Sequence, residues 1–173
     1  LMKMLHLVHT VRKPVIAMVN GPALGGGCGL AAACDFVFAS DEKGKMGAPE
    51  VKLGFLPAVI LMYLVKRMGH GAAREFVLRG DILTSATARD RGLVTEVVED
   101  AQLRNRVFAF ANQLASTTSP GSIALTKDLF MRLDEMSTKD GMEYAANLNA
   151  LTRKTEDFKR GMESFLTKKN LEW

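Results

Sequence analysis

Two short stretches of the chain hold residues whose type and spacing could do chemistry. The first is Leu24-Gly25-Gly26-Gly27-Cys28-Gly29, which puts three glycines in a row between an apolar, β-branched run (Val15 to Val19) and a run of small residues (Cys28 to Cys34). The second is Pro49-Glu50, a carboxylate between Gly47 and Gly54. If a strand ends and a helix begins at the glycines, the first backbone N–H groups of that helix have no intrahelical partner. The helix dipole adds partial positive charge there, and glycine lets a ligand come close to the backbone. Binding an anion, or stabilising an oxyanion as it develops, requires that arrangement. Glu50 can take up and return a proton. Each stretch also has a plainer reading: small residues for close strand–helix packing, and a solvated loop carboxylate. The spacing matches neither the dinucleotide pattern G-x-G-x-x-G nor the phosphate loop ending in G-K-[ST].

The elements that must position these residues follow from pattern. Val15 to Val19 reads as a buried strand stopped by Asn20-Gly21-Pro22, and Cys28 to Cys34 as a tightly packed helix. A second apolar run covers Asp35 to Ser40. Pro57 opens a helix at its first turn; Ala58 to Met68 is apolar almost throughout, so this helix is widely buried, and Gly69 ends it. A short helix from Gly71 to Leu78, a turn at Gly80-Asp81, a helix from Ala86 to Arg91 capped by Thr84 or Ser85, and a short strand from Leu93 to Val98 follow. From Asp100 onward only helical periodicity remains. Leu103, Val107, Phe110, Ala111 and Leu114 form one stripe, Ser119-Pro120 starts the next helix, and two more run near Lys139 to Leu151 and Glu156 to Leu166. The methionines at 131, 136, 142 and 162 read as core or subunit contact.

Composition narrows the function classes. The 173 residues suit one domain, or one domain with an appendage, and 47% hydrophobic residues suffice for a globular core. The net charge of +4 comes from scattered basic residues, with no stripe of the kind nucleic acid requires, and mildly favours an anionic small molecule. Cys28 and Cys34 point to different faces of one helix and cannot easily bridge, and free thiols fit a reducing compartment. The three histidines are scattered and no Cys/His spacing suggests a metal. No apolar run approaches the roughly 20 residues of a membrane span. Leu1 to Lys13 carries a helical stripe (Leu1, Leu5, Val8) interrupted by polar residues, unlike a signal peptide. The sequence thus opens inside a helix and is expected to be the later part of something longer.

Four segments, in order, carry a family resemblance: PVIAMVNGPALGGGCGLAAACDFVFAS, PEVKLGFLP, SATARDRGLVTEVV and FKRGMESFL. They resemble the enoyl-CoA hydratase/isomerase (crotonase) family, and EVKLGFLPAVILMYLVKRMG resembles its methylglutaconyl-CoA-hydratase-like branch. The resemblance implies an α/β fold, a spiral of ββα units. Residues 1–99 would be the C-terminal part of that core, and 100–173 a helical trimerisation region. It implies that water adds to an α,β-unsaturated acyl-CoA through an oxyanion-stabilised enolate. Gly26 would supply one N–H donor, Glu50 would be the acid/base, and Leu24, Gly25, Gly27, Gly29 and Pro57 would contact substrate. The second N–H donor is expected from an upstream A-G-x-D-like segment, which does not precede Gly26 here, so it would come from further chain or another chain. Typical hydratases carry a glutamate where this sequence has Gly29, leaving one carboxylate of two. Isomerisation through Glu50 alone, or a silent acyl-CoA-binding module, are the alternatives. The resemblance implies no metal and no cofactor beyond the coenzyme A thioester as substrate. It implies a homotrimer or hexamer, and a bacterial cytoplasm or a mitochondrial matrix as the location.

Overall fold

Helix α1 (Met2–Thr10) leads into strand β1 (Ile16–Val19), whose apolar, β-branched residues suit a sheet interior. The computed structural model describes every residue from Leu1 to Trp173. Then come β2 (Pro22–Leu24), α2 (Gly26–Ala33), β3 (Phe36–Ser40), β4 (Lys45–Gly47), a 3-10 turn (Pro49–Leu53) and α3 (Ala58–Arg79). They are followed by β5 (Ile82–Thr84), α4 (Ser85–Asp90), β6 (Glu96–Val98), a second 3-10 turn (Asp100–Gln102) and α5 (Leu103–Thr117). Helices α6 (Pro120–Leu133), α7 (Thr138–Thr152) and α8 (Glu156–Thr167) complete the chain.

The strands form two small sheets. In the first, β3 lies between β1 and β6, all parallel, with Ile16 opposite Phe36 and Phe38 opposite Glu96. In the second, β4 lies between β2, parallel to it, and β5, antiparallel, with Leu24 opposite Gly47 and Met46 opposite Leu83. Strands β2, β4 and β5 are three residues each, too short to show a period, and the sequence pattern had marked none of them. Pro22 does end the run at β1, but it also opens β2, where a missing N–H costs nothing.

The core gathers Leu5, Cys28, Val37, Met46, Leu64, Phe76 and Leu93, all fully buried, around the alanines of α2. The small residues of α2 let α3 approach closely. A Cβ on Gly29 would overlap the side chain of Ile60, lying 2.6 Å from its Cβ. Gly69, with φ +77° and ψ 163°, breaks α3 where the sequence placed a helix end, and the second segment runs on to Gly80. Thr84 caps α4 by accepting the Thr87 N–H. The strand expected over Leu93 to Val98 is shortened: the Leu93 and Val94 N–H groups donate to Ala88 C=O, closing α4 instead of pairing in the sheet.

Contacts divide the chain into two units, Leu1–Phe110 and Ala111–Trp173. The first half of α5 belongs to the sheet. Leu103 and Val107 bury against Phe38, and the Phe110 ring meets Phe36 and Phe38 at 4.9 and 5.0 Å. The turn to purely helical periodicity at Asp100 therefore falls inside the first unit. In the second unit, Ser119 caps α6 and donates to Asp157, which also accepts the Gly121 N–H at 3.2 Å. The Trp173 N–H donates to Ser116 C=O, and Arg160 stacks on the Trp173 ring.

Candidate active site

The site is built where β2 turns into α2. Gly25 takes φ +52° and ψ −119°, a conformation L side chains rarely adopt. It is clamped from both sides: its N–H donates to Gly47 C=O at 2.8 Å, and its C=O accepts the Gly29 N–H at 3.0 Å. Gly26 is the first residue of α2, so its N–H lies among the unpaired donors at the positive end of the helix dipole.

Glu50 reaches the same place from the 3-10 turn that Pro49 opens. Its residue is only 7% exposed, and its Oε2 is buried with no hydrogen-bond partner. Its Oε1 would stand 3.2 Å from a Cβ on Gly25, so glycine there leaves room for the carboxylate as well as the backbone turn. A buried carboxylate oxygen without a partner is costly, and such an atom calls for a reason. Beneath it lies the Cys28 thiol, whose pKa is pushed up to about 12 by burial and by the Glu50 charge, against the opposing N–H of Gly47. Cys28 therefore stays a protonated, inert thiol.

Gly25, Gly26 and Glu50 line a cavity of about 540 Å³ together with Leu24, Pro57 and Ile60. Glu50 is the one charged side chain among the lining residues. An N–H at a helix start and a buried carboxylate facing an apolar cavity can hold a developing oxyanion and move a proton beside it. Of the residues singled out in the sequence, Leu24, Gly25, Gly26, Glu50 and Pro57 meet here. Gly27 lines a separate cleft of about 470 Å³ between α1, β1 and α2. Gly29 lines neither; it is the point where α2 touches Ile60 of α3. Ile60 itself was hidden in the sequence, because a run that is apolar at nearly every position gives no sign of which side chain faces a cavity. Gly47, which binds both Gly25 and Cys28, was legible only as a flank of Glu50.

The family model for enoyl-CoA hydratase/isomerase matches residues 1–173, and the chain belongs to that family. A Thermus thermophilus protein named as an enoyl-CoA hydratase is 39% identical over 169 residues, 98% of this chain and 66% of its own length. The 2,3-dehydroadipyl-CoA hydratase of Escherichia coli is 35% identical over 166 residues, 94% of this chain and 63% of its own. The crystal structure of an enoyl-CoA hydratase from Bacillus anthracis superposes with a TM-score of 0.90 at 27% identity, covering 98% of this chain and 66% of that one. The fold is thus crotonase-like, mixed α/β with most of its residues helical. The chain spans a little under two thirds of the length of these relatives. No helix is long and apolar enough to cross a membrane.

Proposed function

We propose that this chain carries the catalytic centre of an enoyl-CoA hydratase, adding water to an α,β-unsaturated acyl-CoA. The observation that carries this reading is that Glu50, whose buried Oε2 has no partner, and Gly26, at the start of α2, line one cavity. The thioester oxygen accepts the Gly26 N–H. Glu50 takes a proton from a water molecule as the water oxygen bonds to Cβ, and the electron pair of the C=C bond moves toward the thioester oxygen, forming an enolate. Glu50 then returns its proton to Cα and the enolate collapses to the 3-hydroxyacyl thioester. One carboxylate thus serves both half-steps, and the low polarity of the cavity strengthens the N–H···O⁻ interaction. The second N–H that the resemblance implies is not among the lining residues.

Loss of enoyl-thioester absorbance with crotonyl-CoA tests the reading. The protein should hydrate it, and Glu50→Gln should lower kcat by about 10² to 10⁴, the range of general acid–base catalysis, with KM little changed. A folded Glu50→Gln protein with full activity would remove Glu50 from the mechanism.

The solitary carboxylate also favours a second reading. A single base can carry a proton from Cα of a 3-enoyl-CoA to its Cγ, with no water involved. Formation of the 2-enoyl thioester from 3-enoyl-CoA, faster than hydration of crotonyl-CoA, would make isomerase the activity. Assembly into trimers or a dimer of trimers through residues 100–173, and a location in a bacterial cytoplasm or mitochondrial matrix, belong to the same proposal.

A further inference from the structure

Gly29 and Ile60 form the tightest meeting of helices α2 and α3. A Cβ at Gly29 would overlap the Ile60 side chain and stand 3.4 Å from its Cα, so the Ile60 side chain fills the space a residue-29 side chain would take. Ile60 also lines the cavity that holds Glu50 and Gly26, yet only 3% of it is exposed. It is therefore a fixed part of the wall, held by the backbone of α2. Other side chains of the cavity wall are more exposed, among them Leu53 at the end of the 3-10 turn and Phe55 and Leu56 of the loop before α3. Those can give way to a substrate, whereas Ile60 cannot move toward α2 without striking Gly29.

We propose that Ile60 is a specificity-determining residue of this site: wedged against Gly29, it limits the length of acyl chain that the cavity admits. The inference rests on the acyl-CoA reading of the site. Closing off the space beside Gly29 also leaves Glu50 as the sole carboxylate, so substrate size and acid–base equipment are set by one contact.

The test compares kcat/KM for 2-enoyl-CoAs of increasing chain length in the whole protein that carries this chain. For Ile60→Ala, the ratio of 2-decenoyl-CoA to crotonyl-CoA should rise about tenfold, the low end of what a few methylenes discriminate in an apolar pocket. Ile60→Val should move it the same way by less, and serves if the alanine variant does not fold. A ratio measured on one protein is insensitive to how much of it is folded, so a purely structural role for Ile60 would leave the ratio unchanged. An unchanged ratio in a folded variant overturns the proposal. If the unaltered protein hydrates and isomerises nothing, the functional reading fails instead. Calorimetric binding of saturated butyryl- and decanoyl-CoA to the unaltered protein and to Ile60→Ala then decides the Ile60 question on its own: the affinity ratio should shift toward the longer chain, and the same ratio in both proteins overturns it.

Discussion

Glu50 is placed against its own interest in stability. Its Oε2 is buried without a partner, and its charge lies beside the thiol of Cys28. Replacing an unpaired buried charge by a neutral group of the same shape relieves a desolvation cost while removing the proton carrier. Glu50→Gln should therefore lose activity while its melting temperature holds or rises. A marked fall in Tm would show that the carboxylate is a structural anchor. Gly26 allows a complementary separation. As the first residue of α2 it occupies the one helical position where proline is well tolerated, because the missing N–H is unpaired in the helix anyway. Its Cβ would meet only the Leu1 side chain, at an ordinary 3.5 Å. Gly26→Pro should keep the fold and cost about 10²-fold or more in turnover, the scale of one oxyanion donor. Unchanged turnover with native circular dichroism would take the Gly26 N–H out of the reaction.

At the scale of elements, the site depends on α2 being held between β2 and α3. Arg67 of α3 ties this layer to the first sheet: it donates to Leu93 C=O and Cys34 C=O at 2.8 Å each, and to Thr95 Oγ1 at 3.1 Å. Burial lowers the pKa of its guanidinium. Arg67→Met would leave those acceptors unpaired and should cost about 3 kcal/mol by denaturant unfolding, as hydrogen bonds to a charged group imply. A cost near that of the exposed Arg79→Ala would refute it. The far ends of β3 and β6 are joined by a different device. Asp100 accepts from Lys43 Nζ and from Ser40 Oγ, and these two bonds, the Lys43 one first, lower its pKa below the ordinary 3.8. A depressed folded pKa means the contribution is fully present above the unfolded value and is lost as pH falls through the folded one. The Tm gap between the unaltered protein and Asp100→Asn should be constant above about pH 5 and close below about pH 4. A gap independent of pH would exclude ionic pairing at Asp100. Strand β1, helix α2, the Gly69 break and the Thr84 cap were legible because β-branched runs, small-residue runs, glycine and threonine act locally. Strands β2, β4 and β5 were not. Each exists only because its partners supply hydrogen bonds from residues 23 to 39 positions away (Pro22 to Lys45, Lys45 to Thr84), and three residues cannot display a period. The Gly29–Ile60 contact was hidden for the same reason: it joins two segments that each look merely apolar.

For the molecule as a whole, the open question is what covers the helical region. In residues 111–173 the sequence writes amphipathic stripes, yet α6 and α8 bury no residue within the single chain. Phe130, Met142, Phe165 and Leu166 are each about 70% exposed or more. Apolar exposure on that scale marks an interaction surface or an aggregation liability, and the family resemblance implies trimer packing through residues 100–173. The expected outcome is a particle of three chains, or six, by multi-angle light scattering, against 18.9 kDa for one. Phe165, the most exposed of these side chains, is the place to interfere: it lies on α8 and lines neither the cavity of Glu50 nor its neighbour. Phe165→Asp should shift the particle toward single chains at micromolar concentration, since an interface core must desolvate the new charge. The helix itself should survive, because the substitution is at a surface position near its C-terminal end and its Thr155 cap is untouched. If the unaltered protein is monomeric at that concentration, the stripes of α6 and α8 need some other partner. If Phe165→Asp assembles as the unaltered protein does, the contact runs through a face of this region that excludes Phe165.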